Sequence, residues 1–232
     1  MRIVTYNIHR AIGVDGREDA SRIAAVLQEL DADIVALQEA GYHSGIPGNV
    51  LEYLGDSMQA QVIEGTTFQD ERGHYGNAVL SRIPLRHVQL HDISIPGREP
   101  RGAIELSLQI NTIDVQIIAT HLGLRPGERR YQIRRLLQLH EVSSARVKIL
   151  LGDLNEWFLW GRPLRWLYRI FGHMPAPATF PARRPWFALD RLWVKPMQVV
   201  NNLQVHNSSL ARQASDHLPL VAELDIEQPG GG

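Results

Sequence analysis

The sequence has no cysteine in its 232 residues. Disulfides and thiolate metal sites are therefore excluded. Any bound metal must be held by oxygen or imidazole donors, which favours magnesium, manganese or calcium. No apolar run approaches the roughly 18–20 uninterrupted residues that a membrane helix needs. The nearest candidate, WFLWGRPLRWLYRIFG, is broken by Arg162, Pro163, Arg165 and Arg169. A charged-then-apolar leader is also missing: the chain opens on a strand pattern, MRIVTYNI. A cytoplasmic protein is expected. Repeats and low-complexity tracts are absent, apart from the terminal QPGGG, where residues 228–232 are expected to be disordered.

What is present is an ordinary globular composition, 44% hydrophobic and 21% charged. The length fits one large domain, expected over residues 1–227, and a monomer is expected. Net charge is only −1, but it is unevenly distributed. Residues 125–196 carry 14 Arg or Lys against 5 Asp or Glu; the remainder carries 10 against 20. Such asymmetry implies either an anionic partner for the basic stretch or charges that intermix again on the folded surface.

Strand-length hydrophobic runs recur at 2–8, 33–39, 59–63, 77–81, 102–110, 113–120, 147–151, 190–194 and 219–226. AIELSLQI and IDVQIIAT alternate with period two. EDASRIAAVLQEL places Ile23, Val26, Leu27 and Leu30 on one helical face, and GERRYQIRRLLQLHEV does so with Tyr131, Ile133, Leu136, Leu137 and His140. Strands outnumber helices and several are closely spaced. An α/β protein with much antiparallel sheet is expected.

The polar residues fall at strand ends. RIVTY runs into Asn7, DIVALQ into Glu39, VQIIAT into His121 and VKILLG into Asp153 and Asn155. Asp190 opens DRLWV, and Asp216 with His217 precedes LPLVAEL. Each alone could be a turn residue. Together they could share one sheet edge. Glu39, Asp153, Asp190 and Asp216 would repel one another there, so a cation is expected among them. Carboxylates and an amide suit Mg²⁺; Asn155 and the histidines suit phosphate oxygens. His217 can carry a proton near neutral pH under a carboxylate's influence. This donor set points to metal-assisted hydrolysis of a phosphoester.

TYNIH, ALQE, GNAVLSR, ATHLG, GDLNE, LDRLWV and SDHLPL, in this order over residues 5–220, resemble the signatures of the endonuclease/exonuclease/phosphatase superfamily, the deoxyribonuclease-I-like group. The resemblance implies a four-layer α/β sandwich of two packed mixed β-sheets flanked by helices, with the site at one edge. It implies Mg²⁺, with Mn²⁺ as substitute, on Glu39 with Asn7 and Asp216. It implies that Asp153 orients or deprotonates water, that Asn155 and His121 bind phosphate, and that Asp190 pairs with His217. By the same resemblance Glu99, in REPRGAIEL, would set a carboxylate against His121. Arg101 could grip a phosphate with its guanidinium fork. Whether His217 or Asp153 takes the proton, and whether one metal or two are used, stays open.

The motifs do not select a subgroup. LLGDLNEW lacks the residues flanking GDLN in inositol phosphatases, and YNIHR differs from the abasic-site endonuclease pattern. The distinctive feature is residues 157–187, rich in aromatics and arginine. As a helix, GRPLRWLYRIF puts Arg162, Arg165 and Arg169 on one stripe and Leu164, Leu167 and Phe171 on another. The segment could pack as a cover, contact nucleic acid, or lie on anionic lipid. The leading expectation is a phosphodiesterase acting on nucleic acid; the alternative is a phospholipid headgroup or small phosphorylated metabolite. A non-catalytic binding domain is disfavoured because every expected catalytic position is filled.

Overall fold

The computed structural model describes residues 1–41, 49–70 and 73–226. The first half of the chain runs β1 (Arg2–Asn7), α1 (Ala20–Leu30), β2 (Ile34–Gly41), α2 (Val50–Met58), β3 (Gln61–Asp70), β4 (Gly73–Ser81) and β5 (Leu85–Asp92). It continues through β6 (Gly102–Ile110), β7 (Ile113–His121), α3 (Pro126–Val142), β8 (Val147–Asp153) and α4 (Arg162–Phe171). It closes with β9 (Asp190–Lys195), β10 (Val200–Val205), the short α5 (Ala211–Ala214) and β11 (Leu220–Leu224). The expected terminal disorder at 228–232 lies outside the described residues.

Two mixed sheets form, ordered β10-β11-β1-β2-β4-β3 and β5-β6-β7-β8-β9. The parallel pairs β1–β2 and β7–β8 are joined through α1 and α3, the crossover that parallel pairing requires. Three apolar layers result. Ile23, Leu27, Leu51 and Leu54 pack α1 and α2 on the first sheet. Ile3, Val79, Leu106 and Ile149 fill the space between the sheets. Ile133, Leu136, Leu164, Leu167 and Phe171 pack α3 and α4 on the second sheet. This is the expected helix–sheet–sheet–helix arrangement.

Differences from the sequence expectation have physical causes. β5 and β10 carry no long apolar run because each is the edge of its sheet and is largely exposed. The buried face of α3 is rotated at its start: Tyr131 is exposed, while Arg129 and Gln132 are buried. Their polar groups are satisfied inside. Arg129 pairs with Glu156, and the Gln132 side-chain oxygen accepts from the Gly123 amide. α4 buries Leu164, Leu167 and Phe171 and leaves Arg162, Arg165 and Arg169 exposed, as a covering element does. Among the described residues no helix is long and apolar enough to cross a membrane.

Register brings the strand ends together. His121 lies beside Asp153, and Asp153 beside Asp190, so these three form one row across the second sheet. Asn7 lies beside Gln38 at the matching end of the first sheet. β11 runs antiparallel to β1, which returns residues 215–217 to the end of β1. Gly152 permits the close approach of β7 and β8: its φ is +145°, and a Cβ there would sit 1.8 Å from the Thr120 carbonyl oxygen.

Candidate active site

Asn7 links the two sheets. Its amide nitrogen donates to Glu39 Oε1 at 3.1 Å and to Asp153 Oδ2 at 3.0 Å, while its oxygen accepts from the His9 amide. Asp153 Oδ1 accepts from the Asn155 backbone N–H at 2.9 Å. Both oxygens of this buried carboxylate are thereby fixed. Glu39 sits where the pairing of β2 with β4 shifts register, and its φ is +53°. Asn155 has φ +50°. Left-handed backbone at two polar residues of one edge is strain held in place by the surrounding fold, a pattern associated with functional sites.

His217 Nδ1 lies 2.8 Å from Asp190 Oδ2. The same oxygen accepts from the Thr179 hydroxyl at 2.5 Å. His217 Nε2 therefore faces Asp153, at 3.9 Å from Oδ2. Burial opposes protonation of His217, but Asp190, with Asp153 and Asp216 behind it, outweighs burial and raises its pKa to about 10. His121 is the reverse case. Burial dominates and lowers its pKa to about 3, so it is neutral at pH 7. Asn155 Nδ2 lies 3.0 Å from His121 Nε2 and also donates to the Leu122 carbonyl at 3.0 Å. With Nε2 accepting, the His121 proton resides on Nδ1. Both amide hydrogens of Asn155 are then engaged, and the side chain orients His121.

One expected contact comes out differently. Glu99 does not turn to His121. Its carboxylate receives both guanidinium ends of Arg101, at 2.7 and 3.1 Å. Arg101 is buried, and a buried cation takes the nearest carboxylate. Both terminal nitrogens thus donate to Glu99, while Nε has no hydrogen-bond partner. Asp216, half-exposed, lies with its Oδ1 3.7 Å from His9 Nδ1, a neighbour that the sequence did not single out.

Several residues around the site were not among the candidates named from the sequence. The Thr179 carbonyl accepts from Leu218 N–H, and the Asp216 carbonyl accepts from Ala182 N–H, so segment 179–182 is laced to 216–218. Phe180 packs its ring 4.8 Å from that of His217. Ser215 Oγ donates to the Asn7 carbonyl at 2.8 Å, tying the last motif to the first. Burial, with Asp216 and Asp190 nearby, pushes the Tyr6 hydroxyl above its ordinary range and keeps it protonated.

Carboxylate oxygens of the type a hard divalent cation takes lie on the Asn7 side. Glu39 and Asp216 present partly exposed carboxylates, and the Asn7 amide abuts Glu39. The tightest group of potential ligands among the described residues is a different one: Asp153, Asp190 and His217 offer atoms within 4.8 Å of one another. Asp190 and His217 are bonded to each other, which leaves Asp153 as the wall shared by the dyad and the Asn7–Glu39 side.

Comparison with known proteins bears on this arrangement. Residues 4–217 match the sequence profile of the Endonuclease/Exonuclease/phosphatase family. The chain is 30% identical to the uncharacterized protein YbhP of Escherichia coli K12, over 97% of this chain and 96% of that protein. An endonuclease/exonuclease/phosphatase from Beutenbergia cavernae superposes with TM-score 0.77 at 25% identity, covering 96% of this chain and 70% of the other. D. rerio TDP2 in complex with a single-strand DNA product superposes with TM-score 0.68 at 16% identity, covering 96% and 97%.

Proposed function

Because the chain belongs to the endonuclease/exonuclease/phosphatase family, whose members are in general hydrolases of phosphoester bonds, we propose that it is a divalent-metal-dependent phosphodiesterase using water as nucleophile. The observation that carries this reading is the row Asp190–His217–Asp153, with His217 Nδ1 committed to Asp190 and Nε2 turned toward Asp153. Glu39 and Asp216, with Asn7 beside them, would hold Mg²⁺ or Mn²⁺. Such an ion, when bound there, would supply positive charge that favours attack of water on the phosphoryl group.

The protein's own groups divide the remaining work. Asp153 orients the attacking water and accepts its proton. His217, kept as an imidazolium, donates from Nε2 to a phosphate oxygen as negative charge builds there. Neutral His121, its ring held by Asn155, lines the site beside Asp153. This division assigns proton abstraction to the carboxylate rather than to the histidine.

Two diester substrates suit such a site. A nucleic-acid strand fits the basic stretch 125–196, and D. rerio TDP2 is described with a single-strand DNA product. A phospholipid headgroup is favoured by a separate observation, the exposed aromatic residues beside Phe180 and His217. A substrate screen over DNA, RNA, phospholipids and inositol phosphates, each with and without Mg²⁺ or Mn²⁺, tests the reading. Metal-dependent cleavage of a phosphodiester is expected. Cleavage confined to phosphomonoesters, or indifferent to metal, would contradict it.

A further inference from the structure

The geometry points to an anionic bilayer surface as the partner of the aromatic projection at Trp157–Trp160 and Trp186–Phe187. Four consecutive apolar side chains stand in solvent directly after the catalytic GDLNE segment: Trp157 is 40% exposed, Phe158 53%, Leu159 60% and Trp160 73%. Trp186, at 78%, and Phe187, at 40%, extend the same patch, since the Trp157 and Phe187 rings are 4.8 Å apart. Contiguous exposed apolar surface of this kind marks an interaction site.

The projection is built to be stiff at its root and bare at its tip. Glu156 is buried and bonded to Arg129 through both oxygens, at 3.1 and 3.3 Å. The Phe158 amide also donates to Glu156. Gly161 N–H closes a turn onto the Phe158 carbonyl at 2.9 Å. A Cβ at Gly161 would lie 2.6 Å from the Glu156 carboxylate carbon, so the turn can fold this closely only over glycine. The Trp186 segment is pinned as well: the Trp186 and Phe187 amides both donate to the Phe180 carbonyl at 2.8 Å.

Composition selects lipid over nucleic acid. Base-stacking surfaces interleave open aromatic faces with cations that follow the phosphates. Here no cation interrupts 157–160, and Leu159 has no ring to stack. The rings lean on one another, Phe158 on Trp160 at 41° and Trp157 on Phe187 at 65°, rather than standing apart as parallel slots. Arginines border the patch instead of filling it: Arg162 follows the tip, and Arg183 and Arg184 precede Trp186, all exposed. Apolar and Trp-rich at the centre and cationic at the border is the pattern of an interfacial element on anionic lipid.

The surface also connects to the site. Trp157 packs edge-on against Phe180 at 6.0 Å, and Phe180 packs on His217. If the phosphodiesterase reading holds, a docked chain would present its catalytic edge to lipid headgroups.

The test needs no turnover, so its failure is separate from failure of the hydrolase reading. The full chain is sedimented with vesicles of phosphatidylcholine alone and of phosphatidylcholine mixed with phosphatidylglycerol. Binding to the mixed vesicles is expected, with a blue shift of tryptophan emission and quenching by brominated lipid in the unmodified protein. The triple variant Phe158→Ser/Trp160→Ser/Trp186→Ser should lose partitioning on the order of a hundredfold while its circular dichroism is unchanged. Arg183→Glu/Arg184→Glu should remove the preference for anionic vesicles. The inference is overturned if neither vesicle binds and brominated lipid leaves the emission unquenched. It is overturned equally if the triple variant instead loses affinity for a single-stranded oligonucleotide, or dissociates a dimer of the chain.

Discussion

Glu39, which we propose as a metal ligand, has an unfavourable backbone. At φ +53° a non-glycine residue costs roughly 1 kcal/mol, and its charge adds to the negative potential of Asp153 and Asp216. Glu39→Gly should therefore raise the melting temperature while abolishing Mg²⁺-dependent activity; calorimetry and a metal titration check the two halves. Asp190 makes the opposite kind of contribution, since it is the principal group raising the pKa of His217. In Asp190→Asn, burial is left to dominate. The His217 ring proton should then titrate by NMR well below 10, and kcat should fall by about 10²–10³-fold. The motif residues were legible in the sequence because polar groups that end strands stand out against apolar runs. Thr179 was not. It matters only because segment 179–182 is laced to 216–218, and nothing local in PATF announces that pairing.

The elements carry their own consequences. α3 buries an ion pair, Arg129 with Glu156, that roots the loop after β8. Removing one partner leaves the other charge buried and uncompensated, so Arg129→Ala should destabilise by about 3–5 kcal/mol in denaturant unfolding. Further along the helix, His140 is buried against Phe171, their ring centroids 4.6 Å apart. Burial, reinforced by Lys148 and Lys195, lowers its pKa to about 4. The folded state thus binds this proton less readily than the unfolded chain does. Its contribution is fully present above pH 6.5 and is lost as pH falls toward 4. His140→Leu should flatten the decline of unfolding free energy across that window by on the order of 1 kcal/mol. Helix and strand periodicity located most elements, but it failed where burial is weak, at edge strands β5 and β10, and where polar residues replace apolar ones on a buried face, as Arg129 and Gln132 do in α3.

At the scale of the whole molecule, the candidate site forms because two sheets end at the same edge. Neither sheet holds it alone: Asn7 and Glu39 come from the first, His121, Asp153 and Asp190 from the second, and the turn before β11 adds Asp216 and His217. The order of the motifs made this architecture legible from the sequence. Side-chain partnerships were less so. Arg101 and Glu99 lie two residues apart, and it is the burial of Arg101 that turns its guanidinium onto the exposed Glu99. The proposed joint action of Asp153 and a divalent cation on a phosphodiester is open to direct assay. Its most direct measurement is the initial rate of hydrolysis of bis-p-nitrophenyl phosphate by the native chain and by Asp153→Asn, each with Mg²⁺ and with chelator. The native chain should turn over only with metal, and Asp153→Asn should fall by about 10²–10⁴-fold while remaining folded. Turnover that survives chelation, or an Asp153→Asn variant as active as the native chain, would rule out that joint action.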